Sequence, residues 1–178
     1  EFRRVLFRSE KRGNVVVFLS FGPGLRLSIG PTWYIALLLL CIILYVFIRD
    51  YLQFTNQYQR FILLILGTET VMNLLLVSLT DPGFILDESD YEDEIDKECP
   101  ITCPICNLHI PYGTEHCQDC NLCVVDRDHH CAWLGKCVGR HNMKYFSSFC
   151  FFLVISSVYI AFTNVPIIRR AIEIGRAS

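Results

Sequence analysis

Residues 103–146 read CPICNLHIPYGTEHCQDCNLCVVDRDHHCAWLGKCVGRHNMKYF, and this stretch decides how the chain is organised. It holds seven of the ten cysteines and all five histidines of a 178-residue chain. Thiolates and imidazoles are the usual ligands of zinc, and they also serve as nucleophiles and bases in covalent catalysis. We therefore expect this polar segment to carry the chemistry of the protein.

The cysteine spacing predicts two structural zinc sites. Such a site takes four ligands, and Cys-x2-Cys pairs are its usual unit. The stretch has two pairs, at 103/106 and 117/120, and two sites of three cysteines and one histidine would use six cysteines and two histidines. One cysteine is then left over, close to a histidine and an aspartate. Those three residue types form the nucleophile, base and orienting acid of covalent catalysis.

The order of these residues resembles that of a known family. The pattern C-x2-C-x9-H-C-x2-C-x2-C-x4-D-H-H-C-x-W-x3-C-V-G-x2-N-x3-F is similar to the cysteine-rich domain of the DHHC-type protein S-acyltransferases, or palmitoyltransferases. The resemblance implies a membrane enzyme that moves a long-chain fatty acyl group from acyl-CoA onto protein cysteines. The implied intermediate is an acyl-enzyme thioester.

The resemblance also implies roles for individual residues. Cys131 matches the nucleophile that accepts the acyl group, His129 the base that activates it, and Asp128 the acid that orients the base. The implied cofactors are two structural zinc ions. Their ligands would be interleaved, with Cys103, Cys106, His116 and Cys123 in one site and Cys117, Cys120, His130 and Cys137 in the other.

The predicted substrate contacts follow the nucleophile. Trp133 matches a family tryptophan that we expect at the thioester end of the acyl chain, and Lys136, Arg140 and Lys144 are candidate contacts for the CoA phosphates. The alternatives are a structural tryptophan and ordinary interfacial cations whose apolar stems lie along the membrane.

Some positions depart from the usual family pattern. Ala132 stands where proline is usual, Gly135 and Lys136 replace two asparagines, and Gly113 replaces an arginine. These departures leave every predicted ligand and catalytic residue in place. We expect them to make the loop around Cys131 looser and to affect substrate choice and rate.

The composition predicts an α-helical polytopic membrane protein. The chain is 52% hydrophobic with a mean hydropathy of +0.37, and its long uncharged runs match the length of a bilayer core. We predict transmembrane helices at 32–48, 61–79 and 145–168, three of an expected four. A net charge of −2 with no basic cluster argues against nucleic-acid binding.

The second predicted span contains two polar residues, Glu69 and Asn73, four residues apart on one helix face. Polar groups at membrane depth face protein or water. They predict either a polar contact lining a central cavity or, as we favour, a hydrogen bond that packs helices.

The segments between the spans are predicted to be mostly irregular. Residues 10–31 are rich in glycine and proline and indicate a membrane-proximal lead-in, and 49–60 form a short loop. Residues 80–102 begin with Asp81-Pro82-Gly83, a motif that the family also carries after its second span, and continue as an acidic run. We predict a solvated linker there, before the cysteine-rich domain at 103–144.

We interpret the two ends of the sequence as translated adapter sequence. Residues 1–9 (EFRRVLFRS) and 173–178 (EIGRAS) correspond to translations of a common sequencing-library adapter. We predict that both are artefacts, and we exclude their arginines from any argument about membrane orientation.

The remaining basic residues favour a cytosolic cysteine-rich domain, since the loop at 80–144 carries five of them and the loop at 49–60 carries two. A reducing compartment also favours zinc over disulfides. The resemblance implies an endomembrane such as Golgi or ER, or the plasma membrane. The implied partners are the bilayer, acyl-CoA and cytosolic-face proteins with membrane-proximal cysteines.

Two other functions compete with the acyltransferase. One is a non-catalytic, membrane-anchored zinc adaptor, including a ubiquitin-ligase-like domain, but it leaves Cys131 unexplained, and a RING-type ligase needs a Cys-x2-Cys pair where Cys137 stands alone. The other is a transporter that uses Glu69 and Asn73, for which one intramembrane acid is thin support.

Overall fold

The computed structural model of the protein describes residues 10–20, 26–87, 89–94 and 101–177. The predicted artefact at 1–9 and the cysteine at position 99 lie outside these residues. Within them the helices are α1 (Trp33–Gln53), α2 (Gln57–Leu79) and α3 (Met143–Ala177), with a short 3-10 turn at Glu92–Glu94. Residues 173–177, the described part of the other predicted artefact, continue α3.

Each of these three helices has a stretch long and apolar enough to cross a membrane, at Trp33–Gln53, Gln57–Leu79 and Met143–Pro166. This confirms three candidate spans. The break between α1 and α2 is short because Asn56 caps α2, accepting a hydrogen bond from the Tyr58 amide at 2.9 Å. The chain therefore reverses at once and α2 returns antiparallel to α1.

Polar side chains connect α2 to α3 inside the helix bundle. The buried hydroxyls of Thr70 and Ser156 lie 3.2 Å apart and join the two helices. Asn73 instead donates within α2, to the Glu69 carbonyl at 2.8 Å, and Glu69 is exposed. The interhelical bond that we expected from Glu69 and Asn73 is thus made by a different pair.

Short antiparallel strands build the cysteine-rich domain. The strands are β4 (Phe84–Ile85), β5 (Ile101–Thr102), β6 (His109–Ile110), β7 (Thr114–Cys117), β8 (Leu122–Val125), β9 (His129–Cys131) and β10 (Lys136–Val138). β4 and β7 flank β8 in one sheet, β9 pairs with β10, and β5 pairs with β6.

The N-terminal segment differs from the predicted irregular lead-in. It forms an antiparallel sheet of β1 (Glu10–Arg12), β2 (Val15–Ser20) and β3 (Arg26–Ile29). Val15 and Val17 alternate with exposed Val16 and are buried against Cys117 and Cys120. Burial of these valines against the cysteine-rich domain stabilises the strands.

The acidic segment after α2 is also more ordered than a solvated linker. Phe84 and Ile85 pair with β8 and are buried. Asp90 is 4% exposed and forms an ion pair with Arg26 of β3. Carboxylates are rarely buried without such a partner, so this contact accounts for the ordered turn.

The cysteine-rich domain and the N-terminal sheet lie at the same end of the helices. Leu27 of β3 forms a β-bridge with Thr80 at the end of α2, and the Thr32 amide before α1 approaches the Gly135 carbonyl at 3.5 Å. α3 begins at this same end, directly after the domain. The fold therefore places the metal-ligand residues at one end of the helix bundle.

Candidate active site and metal centres

Among the described residues, two groups of four cysteine and histidine side chains could each hold a metal ion. The ligand atoms of each group lie within 4.8 Å of one another. The groups are Cys103, Cys106, His116 and Cys123, and Cys117, Cys120, His130 and Cys137. The structure thus brings together the two interleaved sets that the family resemblance implied.

Each group combines a tight turn with one cross-strand pair. In the first, the Cys106 amide donates to Cys103 Sγ at 3.4 Å, and His116 of β7 is directly opposite Cys123 of β8. In the second, the Cys120 amide donates to Cys117 Sγ at 3.4 Å, and His130 is directly opposite Cys137. The interleaving arises because β7 ends in Cys117, which already belongs to the second group.

The separations between ligand atoms fit tetrahedral zinc. Zn–S bonds of about 2.3 Å and Zn–N bonds of about 2.0 Å place neighbouring tetrahedral ligands about 3.5–3.8 Å apart. In the second group, His130 Nδ1 lies 3.5, 3.4 and 3.7 Å from the sulfurs of Cys117, Cys120 and Cys137. In the first group, His116 Nδ1 lies 3.9, 3.2 and 3.8 Å from those of Cys103, Cys106 and Cys123. In both groups the separations lie within a few tenths of an ångström of those that tetrahedral zinc requires, so each group could hold a zinc ion.

The alternation of β9 places the two adjacent histidines on opposite faces of the strand. Successive side chains of a strand point to opposite faces, so His130 faces the second metal group while His129 and Cys131 share the other face. Asp128 Oδ2 lies 2.7 Å from His129 Nδ1. Because Nδ1 faces the aspartate, Nε2 of His129 lies on the other side of the ring. The edge of the His129 ring packs on Phe146 of α3 at 5.3 Å between centroids.

Cys131 lies where the cysteine-rich domain meets the helices. It is 8% exposed and belongs to an apolar cluster with Leu74 and Val77 of α2 and Phe149 of α3. Trp133, two residues further on, is 66% exposed. The candidate nucleophile Cys131 is thus buried at the end of the helix bundle, and the nearby Trp133 side chain is exposed.

The loop after Cys131 is held by backbone hydrogen bonds and a close backbone contact. The amides of Leu134 and Gly135 both donate to the Cys131 carbonyl, at 3.1 and 3.0 Å. Gly135 has φ +74, and a Cβ there would lie 2.7 Å from the Thr32 backbone. Glycine permits both this left-handed conformation and the close approach. The expectation that this loop is looser than the family's stays a prediction.

Lys136 is not placed to bind a phosphate. It is 0% exposed, and Nζ donates to the carbonyls of Ser28 and Thr80 at 2.9 and 2.8 Å. Burial lowers the pKa of Lys136 to about 7, against the opposing effect of the Asp81 charge. The sequence shows that Lys136 is near Cys131, but it does not indicate that the N-terminal sheet covers the lysine amine.

The other predicted cations are held at the surface. Arg140 pairs with Asp126 and Glu94 at 2.7 and 2.6 Å and remains 32% exposed, while Lys144 Nζ lies over the Tyr145 ring at 4.9 Å. Arg140 keeps part of its guanidinium open to solvent, so a phosphate would compete with two carboxylates.

The Asp-Pro-Gly motif forms the turn that joins α2 to the domain. The amides of Gly83 and Phe84 donate to Asp81 Oδ1 at 2.7 and 2.8 Å. Burial raises the pKa of Asp81, and these two backbone bonds oppose that effect. The motif thereby directs Phe84 into pairing with β8.

Comparison with known proteins agrees with this geometry. The sequence model of the family described as DHHC palmitoyltransferase matches residues 97–177. The chain is 34% identical over 112 residues to palmitoyltransferase ZDHHC4 of Bos taurus, covering 57% of this chain and 33% of that protein. It is 30% identical over 125 residues to the probable protein S-acyltransferase 15 of Arabidopsis thaliana, covering 65% of this chain and 49% of that protein.

A human relative extends the similarity over most of the chain. The chain is 27% identical over 151 residues to palmitoyltransferase ZDHHC3 of Homo sapiens, covering 80% of this chain and 50% of that protein. The chain thus spans a third to a half of the length of these three relatives. The region matched by the family model contains both metal groups, Asp128, His129 and Cys131, and this region belongs to the DHHC palmitoyltransferase family.

Proposed function

We propose that the protein is a protein S-acyltransferase that transfers a long-chain fatty acyl group, such as palmitoyl, from acyl-CoA to protein cysteines. The observation that carries this proposal is the Asp128–His129 contact of 2.7 Å on the strand that ends in Cys131, a cysteine outside both metal groups. A zinc-binding adaptor does not require an aspartate, a histidine and a non-ligand cysteine in this arrangement. The relatives named as palmitoyltransferases also support the acyltransferase hypothesis.

In the first step Cys131 becomes acylated. His129 Nε2 takes the thiol proton, and Sγ attacks the carbonyl carbon of the acyl-CoA thioester. The bond from that carbon to the CoA sulfur breaks, and CoA leaves as the thiol with the proton from His129. Asp128 holds the ring orientation and stabilises the imidazolium between these two proton transfers.

In the second step the acyl group moves to a substrate protein. His129 takes the proton from a substrate cysteine, whose sulfur attacks the thioester carbonyl on Cys131. Sγ of Cys131 leaves and receives the proton. One thioester replaces another in each step, so the two steps are nearly isoenergetic and positioning supplies most of the acceleration.

The two metal groups have a structural role in this proposal. Zinc, when bound, supplies four-coordinate crosslinks that fold a domain too small for a large apolar core. When zinc is bound, β9 and β10 would be held together by the ligands Cys117, Cys120, His130 and Cys137. The other group would join the turn after β5 to β7 and β8. Together they keep the strand that bears His129 and Cys131 in place.

The acyl chain would lie among the helices and CoA in the aqueous phase. Cys131 is buried in an apolar cluster with α2 and α3, and each buried CH2 of an acyl chain contributes about 0.8 kcal/mol. Exposed Trp133 is placed to contact the thioester end, and Arg140 remains the better candidate for a CoA phosphate, since Lys136 is enclosed.

We place the cysteine-rich domain on the cytosolic side, because the loop that contains it, at 80–144, carries five basic residues and the loop at 49–60 carries two. Candidate membranes are Golgi, ER and plasma membrane. Protein substrates would present cysteines near that membrane surface. A fourth helix and a C-terminal cytoplasmic segment, as in the family, would complete the bundle.

The proposal is tested on the full chain in lipid nanodiscs incubated with palmitoyl-CoA. Mass spectrometry should find a hydroxylamine-labile acyl group on Cys131 that is absent in Cys131→Ser. Cys41→Ser is the matched control, because this cysteine is exposed on α1 and lies outside the site. An unacylated Cys131 in a protein that retains two zinc ions would instead favour the adaptor.

A further inference from the structure

Lys136 is a fully buried lysine that the proposed chemistry does not use. Its Nζ donates to three oxygens, at 2.8 Å to the Thr80 carbonyl, 2.9 Å to the Ser28 carbonyl and 3.2 Å to Ser28 Oγ. A lysine tip has three donors, and all three are satisfied. Thr80 ends α2 and Ser28 belongs to β3, so one side chain joins two separate elements to β10.

Lys136 is also the direct cross-strand partner of Cys131. Opposed residues of an antiparallel pair have their side chains on the same face and their Cβ atoms about 5 Å apart. The strands β9 and β10 form a hairpin, and the hydrogen bonds of Lys136 anchor this hairpin at the position of Cys131. They anchor it to the end of the membrane helix that contributes Leu74 and Val77 to the cluster around Cys131.

The tip of the same hairpin is enclosed by the segment that leads into α1. A Cβ on Gly30 would lie 1.9 Å from the Gly135 carbonyl oxygen, so the two backbones are in direct contact. The hairpin thus touches α2 through Lys136 and the start of α1 through Gly135, and it cannot shift without breaking both contacts.

We propose that Lys136 is a positioning residue that fastens the Cys131 hairpin to the end of α2 and to the N-terminal sheet, and so sets the position of the Cys131 thiol relative to the helices. This inference rests on the proposed acyltransferase function, in which an acyl chain held by the helices must meet that thiol. A displacement of about 1 Å can cost about 100-fold in rate. A phosphate contact would need an exposed amine, which Lys136 does not offer.

Three variants of the full chain in nanodiscs separate this role from others. Lys136→Met keeps an unbranched apolar stem and removes the donors. Ser28→Ala removes only the contact to Oγ and leaves both carbonyl contacts. Lys11→Met removes an exposed cation of β1 and is the matched control.

The readout is a pair of rates measured at Cys131 by mass spectrometry, together with zinc content. Acylation by palmitoyl-CoA requires alignment of the thiol with the helices, whereas alkylation by iodoacetamide, a small water-soluble reagent, does not. We expect Lys136→Met to slow acylation at least about tenfold and to change alkylation less than about twofold, with two zinc ions retained. Ser28→Ala should act in the same direction but less, and Lys11→Met should change neither rate.

Equal changes in the two rates, or unchanged acylation, would overturn the inference. If Lys136→Met loses zinc, Ser28→Ala decides by the same comparison of rates. If the unmodified protein is not acylated at all, the proposed function fails and hydrogen exchange decides the inference. Amides of 26–29 and 131–138 should then exchange at least about tenfold faster in Lys136→Met than in Lys11→Met, and equal exchange would contradict it.

Discussion

His130 and Cys137 are directly opposed across β9 and β10, with Nδ1 and Sγ 3.7 Å apart. Because this pair belongs to a metal group, it fixes which face of β9 points to the metal. The neighbours of His130 in the strand, His129 and Cys131, must then point to the other face. A metal-ligand residue thus orients the candidate catalytic residues on either side of it.

Replacement of the two adjacent histidines should separate metal binding from catalysis. We expect His130→Ala to reduce the zinc content from two ions to one and to unfold β9 and β10, since structural zinc contributes about 10–16 kcal/mol to folding in small domains. His129→Ala should keep both ions and slow acylation by about 100-fold or more, because it removes a general base. Zinc analysis and acylation rates on the same samples measure both effects. Loss of zinc in His129→Ala would contradict the division.

Asp128 should act only through His129. Asp128→Asn leaves the shape of the side chain intact but no longer favours the tautomer with the proton on Nδ1 and no longer stabilises the imidazolium. We expect acylation to fall by about 100-fold or more with unchanged zinc content. Asp93→Asn, at an exposed acid outside the site, is the control. A fall of the same size in the double variant His129→Ala/Asp128→Asn as in His129→Ala alone would support one shared role, and additive losses would argue against it.

Gly135→Ala should displace the hairpin of β9 and β10 that carries His129 and Cys131. The residue has φ +74 and no room for a Cβ beside Thr32, and such strain costs about 1–3 kcal/mol. Gly113→Ala is a matched control, because Gly113 has φ +80 but lies against the Asp126 side chain, away from Cys131. Both variants should lower the thermal midpoint, and only Gly135→Ala should slow acylation strongly. Equal acylation rates in the two variants would mean that the hairpin tolerates displacement.

The N-terminal sheet should protect the second metal group. Val15 is 0% exposed and packs against Cys117 and Cys120, so Val15→Ala leaves a cavity that costs about 1–3 kcal/mol. We expect faster zinc release to a chelator and a lower thermal midpoint. Val16→Ala removes the same atoms from a side chain that is 38% exposed and should change little. Identical release rates in the two variants would refute a sealing role for β2.

Much of the site is predictable because its determinants are local. The spacing of Cys103 and Cys106 matches a single tight turn, and the neighbours His129 and His130 must diverge in any strand. The apolar runs predict the helices because about 20 residues cross a bilayer core. Residues 15–20 read VVVFLS, which shows no alternation of polar and apolar residues, and the surrounding glycines and prolines led us to predict a loop there.

The sequence by itself determined the three candidate spans, the two sets of metal ligands through their family order, and the triad of Asp128, His129 and Cys131. The spans depend on uninterrupted apolar runs, whereas the ligand sets and the candidate triad depend on the match to the family pattern. The tertiary structure alone decided that Lys136 is buried instead of exposed and that Asp90 pairs with Arg26. Those partners are 108 and 64 residues apart in the chain, and only burial of the N-terminal sheet on the cysteine-rich domain brings them together.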